Sequence, residues 1–163
     1  MHLLVAEDNV VNQKLMTRIV LRTIGGCTLS IVNNGQECLD YLASPPEICP
    51  RPDIILMDSI MPVMDGFEAT RIIRTVPPFS TDVQLRRTPI ITMAPPGLPL
   101  PLRRYVQEHD GLLSKPIRVS HLKRLLLQHS RFQPQHVPGV GMVMAPVWSP
   151  VAIRAFSGPR SRL

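Results

Sequence analysis

The fold is decided by residues 53–58, which read Asp53-Ile54-Ile55-Leu56-Met57-Asp58. Four consecutive apolar residues, Ile54–Met57, with an aspartate at each end form the most strand-like run in the chain. A strand that is apolar on both faces belongs at the centre of a sheet that has helices on each side. Asp58 then lies at the carboxyl end of that central strand.

Short apolar runs recur on both sides of this stretch and alternate with amphipathic stretches, a pattern typical of βα units and a parallel sheet. The other predicted strands are residues 3–6, 28–32, 89–93 and 112–113. We therefore expect an α/β fold with a doubly wound, five-stranded parallel sheet.

Helices are predicted between these strands. Asn9 is placed to cap a first helix, in which Val11, Leu15 and Ile19 recur every four residues. Asp65 is interpreted as the residue that starts the helix opening at Gly66. Residues 75–88 read as a long polar connection, residues 102–108 as a helix after a proline-rich stretch, and Ser120 as the cap of a final helix.

The length of 163 residues is enough for one well-packed domain and a tail. Residues 131–163 contain five prolines and three glycines and show neither a helical nor a strand period. We expect a single domain over residues 1–130 and an irregular or disordered tail over residues 131–163. No second domain is predicted after residue 130, so we expect any output to pass through a partner or through a larger protein of which this chain is a portion.

Several classes of protein lack support in this sequence. It has no apolar run long enough to span a membrane and no secretory signal, so we expect a cytoplasmic location, with the nucleus as the alternative. The three cysteines have neither metal-site nor disulfide spacing and are interpreted as reduced thiols. The net charge of +6 comes mostly from arginines scattered over the tail, which are a weak nucleic-acid signal.

Acidic residues follow two predicted strands: Glu7 and Asp8 the first, and Asp58 the third. Lys115 follows the fifth. Because ligands bind beyond the carboxyl ends of parallel strands, these four side chains converge if their strands are neighbours. Oxygen ligands alone favour Mg²⁺, and an aspartate beside Mg²⁺ and a lysine can accept a phosphoryl group. On spacing alone, helix caps or solvated strand ends explain the same acids equally well.

Three separated motifs strengthen the first interpretation: residues 5–9 (Val-Ala-Glu-Asp-Asn), residues 56–66 (Leu-Met-Asp-Ser-Ile-Met-Pro-Val-Met-Asp-Gly) and residues 114–116 (Ser-Lys-Pro). In this order, the motifs strongly resemble the receiver domain of two-component response regulators. The sequences of these motifs are most similar to those of receivers of hybrid histidine kinases. The resemblance covers about residues 2–130 and implies a flavodoxin-like fold.

The resemblance also implies roles for the residues. Asp58 would accept a phosphoryl group from a histidine kinase or a histidine phosphotransfer protein. Glu7, Asp8, Asp58 and the Ile60 carbonyl would hold Mg²⁺, with Glu7 acting through water. Lys115 would pair with the acceptor or its phosphoryl oxygens, and the bond to Pro116 is expected to be cis.

The chain departs from the family pattern at the end of the fourth strand. The family's Ser or Thr that hydrogen-bonds the phosphoryl group corresponds to Ala94, and the following small residue corresponds to Pro95, which has no N–H. Thr92 is the alternative for this role, but it lies two residues deeper on the same face of the strand. The family's switch aromatic corresponds to Leu112. Two lost charge-assisted hydrogen bonds amount to roughly 3–6 kcal/mol, as large as the roughly 5.5 kcal/mol needed to reverse a two-state switch.

Two hypotheses follow. In one, the chain is a phosphoacceptor receiver in a phosphorelay, with no enzymatic activity beyond its own phosphorylation and dephosphorylation. In the other, it is a pseudoreceiver, an interaction module that has lost the switch. A magnesium-dependent hydrolase is a third option, but the DxDx(T/V) motif of aspartyl-phosphate phosphatases is absent, since Ser59 and Ile60 follow Asp58.

Overall fold

The structure is a computed structural model that describes residues 1–23, 26–97 and 109–129, and the backbone of residues 154–155. A parallel sheet runs through the molecule in the order β5-β4-β3-β1-β2-β6. Its strands are β1 (His2–Ala6), β2 (Thr28–Val32), β3 (Ile54–Asp58), β4 (Ile90–Ala94), β5 (Gly111–Ser114) and β6 (Arg154–Ala155). The predicted doubly wound parallel sheet is thus confirmed.

Helices connect the strands across the two faces of the sheet. They are α1 (Val10–Thr23), α2 (Gly35–Ala43), α3 (Gly66–Thr75), α4 (Val83–Arg87) and α5 (Val119–His129), with a 3₁₀ turn at Phe79–Thr81. The helix expected over residues 102–108 lies outside the described residues. The expected domain boundary at residue 130 stays a prediction, because most of the tail also lies outside them.

The central strand β3 is buried along its whole length, as its apolar sequence predicts. Ile55 and Met57 face the layer formed by α2, α3 and α4, whereas Ile54 and Leu56 face the layer formed by α1 and α5. Alternate residues point to opposite faces of a strand, so one run of apolar residues anchors both layers. The strand order reverses at β1 and β3, which places the topological switch point between them.

Side-chain caps begin the helices that leave the carboxyl edge of the sheet. The Oδ1 atom of Asn9 accepts from the backbone N–H of Val11 at 2.8 Å, and Asp65 caps α3 by accepting from the N–H of Glu68 at 2.8 Å. Both caps were predicted from the sequence. They fix the direction in which the chain leaves the edge where the acidic residues lie.

Of the three apolar residues that recur every four positions in α1, only Ile19 packs against the core. Val11 and Leu15 are exposed, and the helix instead buries Met16 and Val20 against the sheet. The cause is that α1 has apolar residues on more than one stripe, and its first turn lies at the rim of the sheet, where Val11 is exposed.

Two further expectations need correction. Residues 75–88 are not a featureless connection, because they contain the 3₁₀ turn and α4, which bury Phe79 and Leu85 in the core. The sheet also gains a sixth strand, β6, whose two residues pair with β2. The rest of the expected tail lies outside the described residues.

The three cysteines are free and buried, as expected of reduced thiols. Burial raises the pKa of the Cys38 thiol to about 12, so this thiol stays protonated at neutral pH. Among the described residues, no helix is both long and apolar enough to cross a bilayer.

Candidate functional site

The carboxyl edge of the sheet brings together the acidic residues that the sequence singled out. Glu7 and Asp8 follow β1, and Asp58 ends the neighbouring strand β3, so they flank the switch point from both sides. One carboxylate oxygen of each residue lies within 4.8 Å of those of the other two. Glu7 and Asp58 are buried, while Asp8 is exposed to solvent. The result is a half-open acidic cleft.

Lys115, which follows β5, extends its side chain into this cleft. Its Nζ atom donates to Oδ2 of Asp58 at 2.6 Å and to Oε2 of Glu7 at 2.8 Å. β5 does not border β3, because β4 lies between them. The long lysine side chain nevertheless reaches the acids, and the predicted convergence of these four residues is what the structure shows. The Lys115-Pro116 bond is cis, as the family resemblance implied.

The electrostatics of the cleft favour an added cation. Burial raises the pKa of the Asp58 carboxyl, and the nearby Glu7 carboxylate raises it further, while Lys115 acts in the opposite direction. A raised carboxyl pKa means that the groups of the cleft do not fully stabilise the negative charge of the ionised Asp58 side chain.

Lys115 stays charged in this environment. Burial acts to lower the pKa of its ammonium, but the hydrogen bonds to Asp58 and Glu7 outweigh burial and raise the pKa overall. The ammonium is therefore a permanent positive charge beside the acceptor at neutral pH.

The β3–α3 loop holds the Asp58 backbone in place. Gly66 N donates to the Ser59 carbonyl at 3.3 Å, and a Cβ atom built on Gly66 would lie 2.0 Å from the Asp58 carbonyl oxygen. Only glycine fits such a close approach. Ile60 N lies 3.4 Å from Oδ1 of Asp58, and the Ile60 side chain is exposed.

Sequence reasoning missed a polar network from α1 that holds Glu7. Asn12 Nδ2 donates to Oε1 of Glu7 at 2.9 Å, and Gln13 Nε2 donates to the Glu7 carbonyl at 2.6 Å and to Oδ1 of Asn33 at 3.0 Å. The available signal was the position of Asn12, three residues after the cap Asn9, from which a side chain can reach back past the helix start.

The end of β4 carries the residues at which the chain departs from the receiver pattern. Ala94 is buried, and its carbonyl accepts from Lys115 N at 2.8 Å. Pro95, which has no N–H to offer, follows it. Thr92 lies inside the strand, fully buried, and its hydroxyl is hydrogen-bonded to Nδ1 of His109. The Thr92 hydroxyl is therefore already engaged within the fold.

The donor set fits a small divalent cation. It consists of carboxylate oxygens, with no histidine or cysteine in the cluster, which is the chemistry of hard cations such as Mg²⁺ and Ca²⁺. Three carboxylates and one ammonium also leave an excess of two negative charges, which a divalent cation would balance.

Comparison with known proteins agrees with this geometry. The family model described as the response regulator receiver domain matches residues 3–127. The chain belongs to the response regulator receiver family. Receivers of this family are modules of two-component signalling, so the fold and its acidic edge are those of a signalling domain.

Curated relatives of this receiver include hybrid and two-component proteins. The chain is 36% identical over 125 residues to hybrid signal transduction protein dokA of Dictyostelium discoideum, covering 77% of this chain and 7% of that protein. It is 35% identical over 126 residues to two-component system protein A of Emericella nidulans, covering 77% and 17%. The receiver thus spans less than a fifth of either relative.

A solved receiver has the same architecture. The receiver domain of a sensor histidine kinase from Pseudomonas aeruginosa PAO1 is 30% identical, with a TM-score of 0.62, over 78% of this chain and 94% of that one. That structure is described with a magnesium ion coordinated in its active site cleft.

Proposed function

We propose that this receiver is the phosphoacceptor of a histidine-to-aspartate phosphorelay and that Asp58 takes the phosphoryl group. The observation that carries the proposal is the position of the Lys115 ammonium, which lies 2.6 Å from Asp58 and 2.8 Å from Glu7. The third acid of the same cleft, Asp8, is exposed to solvent. A carboxylate and a fixed positive charge in one open cleft are the groups needed to attack a phosphorus atom and to stabilise its oxygens.

Mg²⁺ is the proposed cofactor. Asp8 and Asp58 would hold the ion directly with the Ile60 carbonyl, and Glu7 would act through water. When bound, the ion supplies positive charge that offsets the charge of the transferring phosphoryl group. The solved receiver with magnesium in its cleft supports this choice.

The proposed transfer starts from a phosphohistidine. A carboxylate oxygen of Asp58 forms the new bond to phosphorus as the P–N bond to the donor imidazole breaks. The electron pair of that bond returns to the imidazole nitrogen, and a proton on the other ring nitrogen lets the imidazole leave neutral. Lys115 Nζ stays charged throughout and donates to the phosphoryl oxygens.

Exposed apolar side chains around the acceptor indicate that the donor is a protein, either a histidine kinase or a histidine phosphotransfer protein. Val10 and Val11 follow Asp8, Ile60 and Val63 follow Asp58, and Val119 follows Lys115, and all five are exposed. We call these five residues the apolar rim. Apolar surface concentrated around a reactive group is typical of a protein-binding surface.

The apolar rim can be tested with Val11→Glu. This change should slow transfer from a phosphohistidine protein about tenfold or more, because a buried unpaired charge opposes docking, and should leave labelling by a small phosphodonor unchanged. Ile48→Glu is the matched control, since Ile48 is also exposed but lies in the α2–β3 loop, at the opposite edge of the sheet. Equal transfer rates from the protein donor to Val11→Glu and to wild type would show that the apolar rim does not bind the donor.

Phosphorylation itself is tested by incubating the chain with Mg²⁺ and a small phosphodonor and measuring its intact mass. We expect a phosphoryl adduct on wild type and none on Asp58→Asn, which keeps the shape of the side chain but lacks a nucleophilic oxygen. An equal adduct on both proteins would mean that another residue is the acceptor.

A second candidate function is favoured by the end of β4. Ala94 and Pro95 supply neither a hydroxyl nor an N–H to the cleft, so the residues that would couple phosphorylation to a change of shape are missing. The receiver would then be an interaction module. In the same mass measurement, the absence of an adduct would leave only the interaction module.

A further inference from the structure

Glu7 is held more tightly than the other acids of the cleft. Its Oε1 atom accepts from Asn12 Nδ2 at 2.9 Å and from Asn9 N at 3.3 Å, and its Oε2 atom accepts from Lys115 Nζ at 2.8 Å. A carboxylate offers about four lone-pair positions. Three of them are used in Glu7, which is only 2% exposed.

Side chains at the start of α1 keep Glu7 in this position. Asn9 Oδ1 accepts from Asn12 N at 3.3 Å and so fixes the start of the helix. Gln13 ties the Glu7 carbonyl to Asn33 in the loop after β2. Both the backbone and the carboxylate of Glu7 are therefore bound to α1, and rotation of the carboxylate would break the Asn12 hydrogen bond.

The other two acids are freer. Asp8 is exposed, and within the described residues no donor reaches its carboxylate. Oδ2 of Asp58 accepts from Lys115 Nζ, while Oδ1 accepts only from Ile60 N over a long 3.4 Å. The cleft thus offers two carboxylates for direct contact with a cation and keeps the third turned toward its own donors.

We propose that Asn12 is a positioning residue that sets the cation selectivity of the cleft by preventing Glu7 from becoming a direct ligand. Mg²⁺ binds through one or two carboxylates and keeps several waters, whereas Ca²⁺ prefers six to eight oxygen ligands. A pinned Glu7 limits the cleft to the smaller ligand set and so favours Mg²⁺. This inference rests on the proposed function.

The test is isothermal titration of Mg²⁺ and Ca²⁺ into the whole chain without a phosphodonor. Asn12→Leu keeps the approximate size of the side chain but removes the amide. Because the lost hydrogen bond involves a charged group, we expect the ratio of the Ca²⁺ Kd to the Mg²⁺ Kd to fall about tenfold. Asn12→Ala, which favours the helix, is the second variant and should change the ratio in the same direction.

Two controls make the result specific. Gln36→Leu removes an amide that bonds Asp40 on α2, and should leave the ratio unchanged. In a Glu7→Gln background, Asn12→Leu should also leave the ratio unchanged, since no third carboxylate remains to be released.

The outcomes are distinguishable. If wild type binds Mg²⁺ but Asn12→Leu and Asn12→Ala, both folded by circular dichroism, change the ratio less than twofold, the role of Asn12 is wrong and the proposed function stands. A tenfold change that persists in the Glu7→Gln background would also overturn it. If wild type binds no Mg²⁺, both this inference and the magnesium-dependent function fail.

Discussion

Gly66 shows how a single residue without a side chain positions the acceptor. Its backbone lies so close to the Asp58 carbonyl that a Cβ atom would come within 2.0 Å of the oxygen. The strand end and the start of α3 must therefore separate if any side chain is introduced. The close approach, rather than a special φ angle, is what requires glycine.

Gly66→Ala should move Asp58 and destabilise the chain by about 1–3 kcal/mol, the usual effect of overpacking. The free energy of unfolding, measured in urea, should decrease, and the Kd for Mg²⁺ should increase. Gly111→Ala is the matched control, because its Cβ would meet Leu125 only at an ordinary 3.5 Å. Wild-type Mg²⁺ affinity in Gly66→Ala would refute this role of Gly66.

Ala94 is the residue at which a hydroxyl can be restored. Ala94→Ser adds one donor at the end of β4, and a hydrogen bond to a charged group contributes about 1.5–3 kcal/mol. We expect phosphorylation to raise the Tm of Ala94→Ser more than that of wild type, measured by calorimetry on phosphorylated and unphosphorylated protein.

Thr92→Val serves as the companion variant in that experiment. The Thr92 hydroxyl bonds His109 inside the fold, so its loss should leave the phosphorylation-dependent change in Tm as in wild type. If Thr92→Val abolished this change, or if Ala94→Ser behaved as wild type, Ala94 would not be the position of the missing hydroxyl.

At the scale of elements, the strands and the helix caps could be predicted from sequence, because their signals are local. The run from Ile54 to Met57 is apolar on both faces wherever it lies, and Asn9 and Asp65 cap the turns that follow them. The convergence of Glu7, Asp8 and Asp58 could be predicted as well, because parallel strands present their carboxyl ends at one edge.

Other elements depend on contacts that the sequence does not display. The choice between Val11 and Met16 as buried residues of α1 depends on where the sheet ends beneath the helix. α4 has only five residues and exists because Asp82 caps it and Leu85 is buried in the core. The hydrogen bond from Asn12 to Glu7 depends on how α1 leaves the sheet, which the position of Asn12 after the cap Asn9 does not specify by itself.

The β3–α3 loop contains one residue with strained backbone. Val63 has a φ of +68°, in the left-handed region that disfavours β-branched residues, and Met64 N donates to the Pro62 carbonyl at 2.8 Å across it. Val63→Gly should stabilise the chain by about 1 kcal/mol, because glycine adopts this conformation without steric cost. A urea unfolding curve checks this, and a loss of stability would show that the loop is not strained.

At the scale of the whole molecule, partly buried and exposed polar side chains tie α3 to the far edge of the sheet. Arg74 on α3 donates to Asp110 Oδ2 at 2.8 Å and to the Thr88 carbonyl at 2.9 Å. The neighbouring His109 packs edge-on against Phe67 and bonds Thr92. Burial lowers the pKa of His109 to about 4, and Arg74 contributes to the same shift.

This pKa makes stability depend on pH. The unfolded imidazole takes up a proton near its ordinary pKa of 6.5, whereas the folded one does so only near 4. Between these values the unfolded chain holds one more proton, so stability falls as pH decreases, by at most about 1.4 kcal/mol per pH unit. His109→Gln should flatten this part of the profile, measured by urea unfolding from pH 7 to pH 4. Parallel profiles for the two proteins would contradict the assignment.

The central claim is that the cleft of Glu7, Asp8, Asp58 and Lys115 makes Asp58 a magnesium-dependent phosphoacceptor. The most direct measurement is the initial rate of phosphoryl adduct formation as a function of Mg²⁺ concentration, compared with Mg²⁺ binding to the unphosphorylated chain. We expect the rate to rise with the same half-point as the binding curve and to vanish in chelator and in Asp58→Asn. An adduct that forms at the same rate without Mg²⁺, or none at saturating Mg²⁺, would contradict the account.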